Sequence, residues 1–245
     1  MGRVDILGIP VDKITEKELL EKIINFINEK RFHLIVTINS ENATKALENK
    51  IFLDVIKNAD LVIPDGIGII FASKILSDKL PERIPGIDLS YKLLEISNEK
   101  GYKIVLIGGK EGVAEGAKEN LKKIFPNLNI AMTYNGYFNE DEEKKIVEEI
   151  QKIEPDILLV GMGSEKQEIW IWNNREKFKN IGVCIGVGGT LDIWAGKKKR
   201  APKLVQKLGL EWLYRVIIEP KRIFRVLKIF NFLNKLFIER WKKFF

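Results

Sequence analysis

The stretch Leu61-Val62-Ile63-Pro64-Asp65-Gly66-Ile67-Gly68-Ile69-Ile70 decides how this chain is read. A short apolar run stops at a proline, a carboxylate and two glycines, and a second apolar segment follows. That pattern predicts a strand delivering Asp65 to a strand-to-helix turn. In open α/β sheets, ligands bind in the crevice beyond the carboxyl ends of the strands. An aspartate there, between glycines that let a substrate come close, is a candidate general base. The same residue would equally serve as a plain cap on the helix after it.

The pattern recurs on both sides. Val4–Ile9, Phe32–Ile38, Lys103–Ile107, Asn129–Met132, Asp156–Gly161 and Ile181–Val187 read as strands. Between them lie helical periodicities, such as Leu19, Leu20, Ile23, Ile24 and Ile27 after a Thr15–Glu18 capping box. Asn139 reads as the cap of an acidic helix, and Asp88 as the cap of the helix after the Pro81–Gly86 loop. Alternating strands and helices predict an α/β fold, a Rossmann-like, doubly wound, mostly parallel sheet. The glycine-rich strand ends at Gly108, Gly161 and Gly188 then converge on the side that presents Asp65. Gly108-Gly109-Lys110-Glu111-Gly112 either cradles a phosphate at a helix N-terminus or is a tight turn, since no P-loop or dinucleotide fingerprint is present. Thr37 and Asn39, two residues apart at a strand end, share a face or form a turn and a cap.

Composition narrows the function classes. A single histidine, His33, and a single cysteine, Cys184, are too few for a His/Cys metal cluster, and because both lie in apolar runs no Cys-His or Ser-His-Asp triad is expected. His33 lies in an apolar run and reads as a satisfied strand histidine. No disulfide framework is possible, Met1-Gly2-Arg3-Val4-Asp5 does not read as a signal peptide, and no apolar run reaches a membrane-spanning length. The net charge of +7 is uneven. Residues 196–245 hold 15 Lys and Arg against 3 Glu, and 9 of the 23 aromatic residues, so residues 1–195 form an acidic core and 196–245 a basic, helical, membrane-associating appendage. From Lys221 onward a polar stripe recurs every three or four residues beside a broad apolar face, the pattern of an amphipathic helix lying in a headgroup layer. The alternative is that this face packs on the core or on a second subunit.

Seven motifs in order make the chain resemble one family: Ile63-Pro64-Asp65-Gly66-Ile67-Gly68, Arg83-Ile84-Pro85-Gly86-Ile87-Asp88, Ile107-Gly108-Gly109, Gly161-Met162-Gly163-Ser164-Glu165-Lys166-Gln167-Glu168, Gly188-Gly189, Arg200-Ala201-Pro202 and Gly209-Leu210-Glu211-Trp212-Leu213-Tyr214-Arg215. It resembles the WecG/TagA/CpsF glycosyltransferases, and their TagA branch most, over roughly residues 5–225. One departure is Glu165, where the family usually has proline.

The resemblance implies inverting transfer of N-acetylmannosamine from a UDP-sugar donor to an undecaprenyl-diphosphate-linked N-acetylglucosamine, in building the wall teichoic acid linkage unit. It implies Asp65 as base, with Thr37, Asn39, Arg83 and Gln167 lining the sugar pocket. Gly108, Gly188 and Asp192 fall near the nucleotide, Tyr137 near the base or ribose, and Arg215, Arg222 and Arg225 on the diphosphate. Gln167 as an exposed helix residue and Asp192 as a cap remain the plainer alternatives. No Asp-x-Asp motif is present, so the expectation is a metal-independent site without cofactor, on the cytoplasmic face of the membrane as a peripheral protein, with a homo-oligomer possible and no nucleic acid bound. The rival readings are transfer of a related sugar, such as N-acetylmannosaminuronic acid or glucose, to a polyprenyl-linked acceptor; a nucleotide-dependent oxidoreductase; and a non-enzymatic protein whose basic tail binds nucleic acid or membrane.

Overall fold

The computed structural model describes residues 2–220 and 223–242, without the side chains of 224–231, 241 and 242. Six strands form one parallel sheet: β3 (Leu34–Ile38), β4 (Leu61–Pro64), β5 (Lys103–Gly108), β6 (Asn129–Tyr134), β7 (Ile157–Gly161) and β8 (Val183–Gly186), in the order β4-β3-β8-β7-β5-β6. β3 and β7 are buried along their whole length, which is why they read as continuous apolar runs. The connection after β5 leads outward to β6, whereas that after β7 leads the other way to β8. The chain therefore reverses direction between β5 and β7, the point beside whose carboxyl ends ligands bind in open α/β sheets.

The predicted first strand is instead a hairpin, β1 (Arg3–Ile6) and β2 (Ile9–Asp12), paired antiparallel. Leu7 and Gly8 both adopt positive φ, +58° and +84°, the geometry of a tight two-residue hairpin turn. An apolar Leu7 hides this turn in the sequence. Asp12 fastens the hairpin to the sheet by accepting the Val62 N–H at 2.7 Å while pairing with Arg3.

Side chains alternate across the sheet, so Leu34, Val36 and Ile38 face one core layer and Ile35 the other. One layer holds the hairpin with α2 (Ser40–Glu48), α3 (Lys50–Asn58), α4 (Ile67–Ile75), α7 (Glu140–Ile153) and α8 (Lys166–Asn173). The other holds α1 (Glu16–Glu29), α5 (Gly86–Lys100), α6 (Val113–Ile124) and α9 (Thr190–Trp194). The Thr15–Glu18 capping box opens α1 and the Asn139 cap opens α7, as predicted. His33 is buried in the strand region: Nδ1 is 3.0 Å from the Gly182 carbonyl, Nε2 lies 3.2 Å from the Glu29 carboxylate without a well-aligned hydrogen bond, and the ring stacks on Phe26. Burial pushes the Cys184 thiol up, so it is inert packing.

The appendage is helical: α10 (Lys203–Lys207), α11 (Glu211–Ile218) and α12 (Ile223–Lys242). α12 lies against α2 and α4, with Phe232 and Leu236, one helical turn apart, fully buried in the first core layer. Part of its apolar face thus covers the core. Phe237 and Ile238 remain more than half exposed. Among the described side chains α10 and α11 also expose apolar surface, with Leu204 and Ile217 69% and 70% exposed. No described helix is long and apolar enough to cross a membrane.

Candidate active site

Asp65 is the first residue past β4, and its N–H donates to the Ile38 carbonyl at 2.9 Å, which ties it to the end of β3. It does not cap α4; the N-cap there is Gly66, with no side-chain bond. Instead Asp65 Oδ1 accepts the Gly86 N–H at 2.9 Å at the start of α5, and Oδ2 stands 3.5 Å from Asn39 Nδ2. The flanking glycines serve packing rather than open space. A Cβ on Gly66 would lie 2.7 Å from Asn39 Cβ, and one on Gly68 would lie 2.1 Å from Ser40 Oγ. They let the start of α4 press onto the start of α2.

Asn39 combines both readings made of it. It caps α2 by accepting the Asn42 N–H at 3.0 Å and turns its amide nitrogen toward Asp65. Thr37 is buried in β3 and touches Gly86, where an added Cβ would meet its methyl at 3.1 Å. The loop before α5 is held to β4 by the Ile84 N–H on the Pro64 carbonyl at 2.8 Å, one residue before Asp65. Arg83 donates to the Gln206 carbonyl of α10 at 2.9 Å, so it also grips the appendage. Thr37, Asn39 and Asp65 therefore form one cluster around Gly86, and Arg83 lies in the loop that leads into it.

The charge state of Asp65 is set by competing effects. Burial pushes its pKa up and prevails. The Gly86 N–H, Asn39 and the Arg215 charge pull it down, while Glu211 adds to the rise. A carboxylate made more basic than usual is better suited to accepting a proton near neutral pH. Both Arg215 and Glu211 belong to α11, so the appendage stands over this carboxylate.

Gln167 is not an exposed helix residue. It is buried, its Oε1 accepts the Gly188 N–H at 3.0 Å, and its Nε2 donates to Glu168 at 2.7 Å. Its amide thus stitches the first turn of α8 to the loop after β8, over Gly186. Burial raises the pKa of Glu168, against the bonds from Gln167 and the Glu165 N–H. Glu165 sits at φ +79° and ψ −53°, a conformation strained for any side chain and excluded altogether by the proline ring. Glu165 also accepts a short hydrogen bond from Asn49.

Gly108 and Gly161 lie side by side at the reversal point, so close that a Cβ on Gly108 would strike the Gly161 backbone at 2.5 Å. Gly109 spends its N–H on the Gly161 carbonyl, and its own carbonyl accepts the Gly136 N–H, so this part of the glycine-rich stretch is a tight βα turn. Tyr137 stands 74% exposed just beyond, at the end of β6. Asp192 lies in the first turn of α9, whose N-cap is Gly189, so it is not the cap. Arg222 and the side chain of Arg225 lie outside the described residues. Among the described residues no three His, Cys, Asp or Glu side chains gather where they could hold a metal ion.

Arg200 and Glu211 stood in the motifs without a role, and Asp88 was read as a helix cap. Asp88 does not cap α5, which starts at Gly86 after Pro85. Its carboxylate binds Arg200, and nothing in the local sequence of either residue signals a partner so far along the chain.

A parallel doubly wound sheet with a basic carboxylate, arginines and glycine-rich turns along its carboxyl edge has the outline of a nucleotide-sugar transferase. The chain belongs to the glycosyl transferase WecG/TagA/CpsF family, whose profile matches residues 4–244. It is similar to proteins of Staphylococcus aureus strains NCTC 8325 / PS 47, COL and MRSA252, each named N-acetylglucosaminyldiphosphoundecaprenol N-acetyl-beta-D-mannosaminyltransferase. Each is 38% identical over 237 residues, which cover 96% of this chain and 92% of the relative.

Proposed function

We propose that the protein transfers N-acetylmannosamine from UDP-N-acetylmannosamine to the sugar of a polyprenyl-diphosphate-linked N-acetylglucosamine, with inversion. The observation that carries this reading is Asp65. It is a partly buried carboxylate of raised basicity at the carboxyl end of β4, with the Arg215 charge acting on it from the appendage. Asp65 takes the proton of the acceptor hydroxyl as that oxygen attacks the anomeric carbon. The bond from that carbon to the UDP oxygen breaks, and its electron pair leaves with UDP. Arg215, joined by Arg222 and Arg225, meets the charge that grows on the departing diphosphate. A metal ion is then not required.

The sheet offers room for this division of labour. From β4 to β6 the carboxyl edge spans about 24 Å, five strand spacings. The sugar is placed at the Thr37–Asn39–Asp65–Arg83 end. The nucleotide is placed toward Gly108, Tyr137, Gly188 and Asp192, and Gln167 acts by holding the loop at Gly188 in place.

α10 and α11 form the cover of this site, and the basic C-terminal region is its contact with the cytoplasmic membrane surface, where a polyprenyl-linked acceptor resides. The exposed Leu204, Leu208, Trp212, Leu213, Ile217 and Ile218 of α10 and α11 support that reading, and Lys197, Lys198 and Lys199 lie just before them. Each cation near an anionic leaflet contributes roughly 1 kcal/mol, so a few hold the protein reversibly.

The deciding experiment incubates the purified protein with UDP-N-acetylmannosamine and a lipid-diphosphate N-acetylglucosamine analogue, and analyses the products. A disaccharide-lipid with inverted configuration is expected. Release of free sugar alone, or transfer only from another nucleotide sugar, overturns the assignment.

A further inference from the structure

Arg200 joins two carboxylates that are far apart in the chain. Its Nη1 and Nη2 donate to Oδ1 and Oδ2 of Asp88 at 2.5 and 2.8 Å, and its Nε donates to Glu211 Oε1 at 3.1 Å. Asp88 lies in the first turn of α5, the helix whose opening N–H binds Asp65. Glu211 is the first residue of α11, the helix that carries Arg215. The guanidinium therefore stands between the two halves of the candidate site. It is mostly buried, and Glu211 more so, with side-chain exposures of 23% and 15%. Planar, two-pronged pairing fixes orientation as well as distance, which a point charge cannot do.

The surrounding contacts share this geometry. Arg83 holds the Gln206 carbonyl from the core side, and Gln206 turns back to bind the Ala201 carbonyl next to Arg200. Gly209, at φ +71°, lies against Ile67 in the first turn of α4, where a Cβ would sit 3.0 Å from the Ile67 side chain. α10 and α11 themselves bury no side chain fully, so little apolar packing holds them. Burial disfavours the Arg200 charge, and the two carboxylates more than restore it.

We propose that Arg200, with Asp88 and Glu211, is a latch that closes α10 and α11 over Asp65 and sets the position of Arg215. Arg200 is a positioning residue and touches no substrate. The latch gives a role to three motif residues that the chemistry of transfer leaves unused. The catalytic side of the proposal rests on the reading that Arg215 works over Asp65; the mechanical side does not.

The test compares full-length wild type with R200A and D88N by hydrogen–deuterium exchange and by turnover. R200A is expected to speed exchange across residues 203–218 while β3, β7 and β8 keep wild-type protection. Turnover should fall about 10²-fold, the effect of misplacing a catalytic group by about an ångström. Guanidinium chloride, too dilute to unfold the chain or alter wild-type turnover, should restore part of the R200A activity by refilling the vacated position. D88N, which leaves the Glu211 pair intact, should show the same changes to a lesser degree. Wild-type exchange over residues 203–218 in R200A overturns the latch. So does loss of protection throughout the sheet in both variants, or failure of guanidinium to restore any activity. If the wild type itself performs no transfer, the functional reading fails, and the exchange pattern still decides the latch.

Discussion

Asp65 accepts the backbone N–H of Gly86 at 2.9 Å, so a carboxylate just past β4 caps a helix that begins 21 residues later. This one bond joins two motifs, holds the loop before α5 in place, and leaves Oδ2 facing Asn39 Nδ2 at 3.5 Å. An aspartate that only terminated its own strand would carry none of these constraints.

Asp65→Asn separates the two roles. The asparagine carbonyl can still accept the Gly86 N–H, so the melting temperature should fall by only a few degrees, for a loss of about 1 kcal/mol. Turnover should drop about 10²–10⁴-fold while UDP affinity is largely kept. Near-wild-type turnover in this variant would remove Asp65 as the base.

The acid limb of the pH–rate profile should lie above the usual aspartate pKa of about 3.9, because burial raises Asp65. The Arg215 charge lowers that pKa, so Arg215→Met should move the limb to higher pH as well as slow the reaction. A limb that stays put, measured as kcat/KM across the acid range, would show that the titrating group is another residue.

Activity should survive EDTA, since arginines and backbone N–H groups meet the leaving-group charge in this mechanism. If chelation abolishes turnover and Mg²⁺ or Mn²⁺ restores it, the arginine account is wrong.

Glu165→Pro tests the loop after β7. Proline cannot adopt φ +79° and removes the N–H that Glu168 accepts at 2.7 Å. Losing a hydrogen bond to a buried carboxylate and forcing the backbone together cost about 3 kcal/mol or more. A denaturant melt should show that loss. Unchanged stability would mean that the loop refolds at no cost into the shape the family's proline takes.

Leu208→Glu together with Ile217→Glu places two charges on the exposed face of α10 and α11 without touching the buried Phe232 and Leu236. Flotation with anionic liposomes should be lost while the thermal melt stays near wild type. Full flotation by the double variant would move the membrane contact elsewhere, with Phe237 and Ile238 of α12 the next surface to alter. Truncation after Gly196 is a poorer probe, because it uncovers the core that Phe232 and Leu236 seal.

By itself the sequence determined what depends on near neighbours. Apolar runs between glycine-rich turns marked the buried parallel strands, and Thr15 with Glu18, and Asn139, marked helix starts, because a cap and its partner lie within four residues. Parallel strands of known direction were enough to bring Gly108, Gly161, Gly188 and Asp65 to one edge. Only the tertiary structure decided what those residues do there. It assigned Asp65 to α5 rather than α4, used the Gln167 amide to join α8 to the loop after β8, turned Gly66 and Gly68 toward α2, and paired Asp88 with a guanidinium 112 residues away. It also put one edge of the α12 apolar face onto the core, which periodicity alone left open between protein and lipid. The physical reason is common to all of these. A hydrogen bond or ion pair is fixed by where the sheet order places its second partner, and a residue's local sequence carries no record of that place.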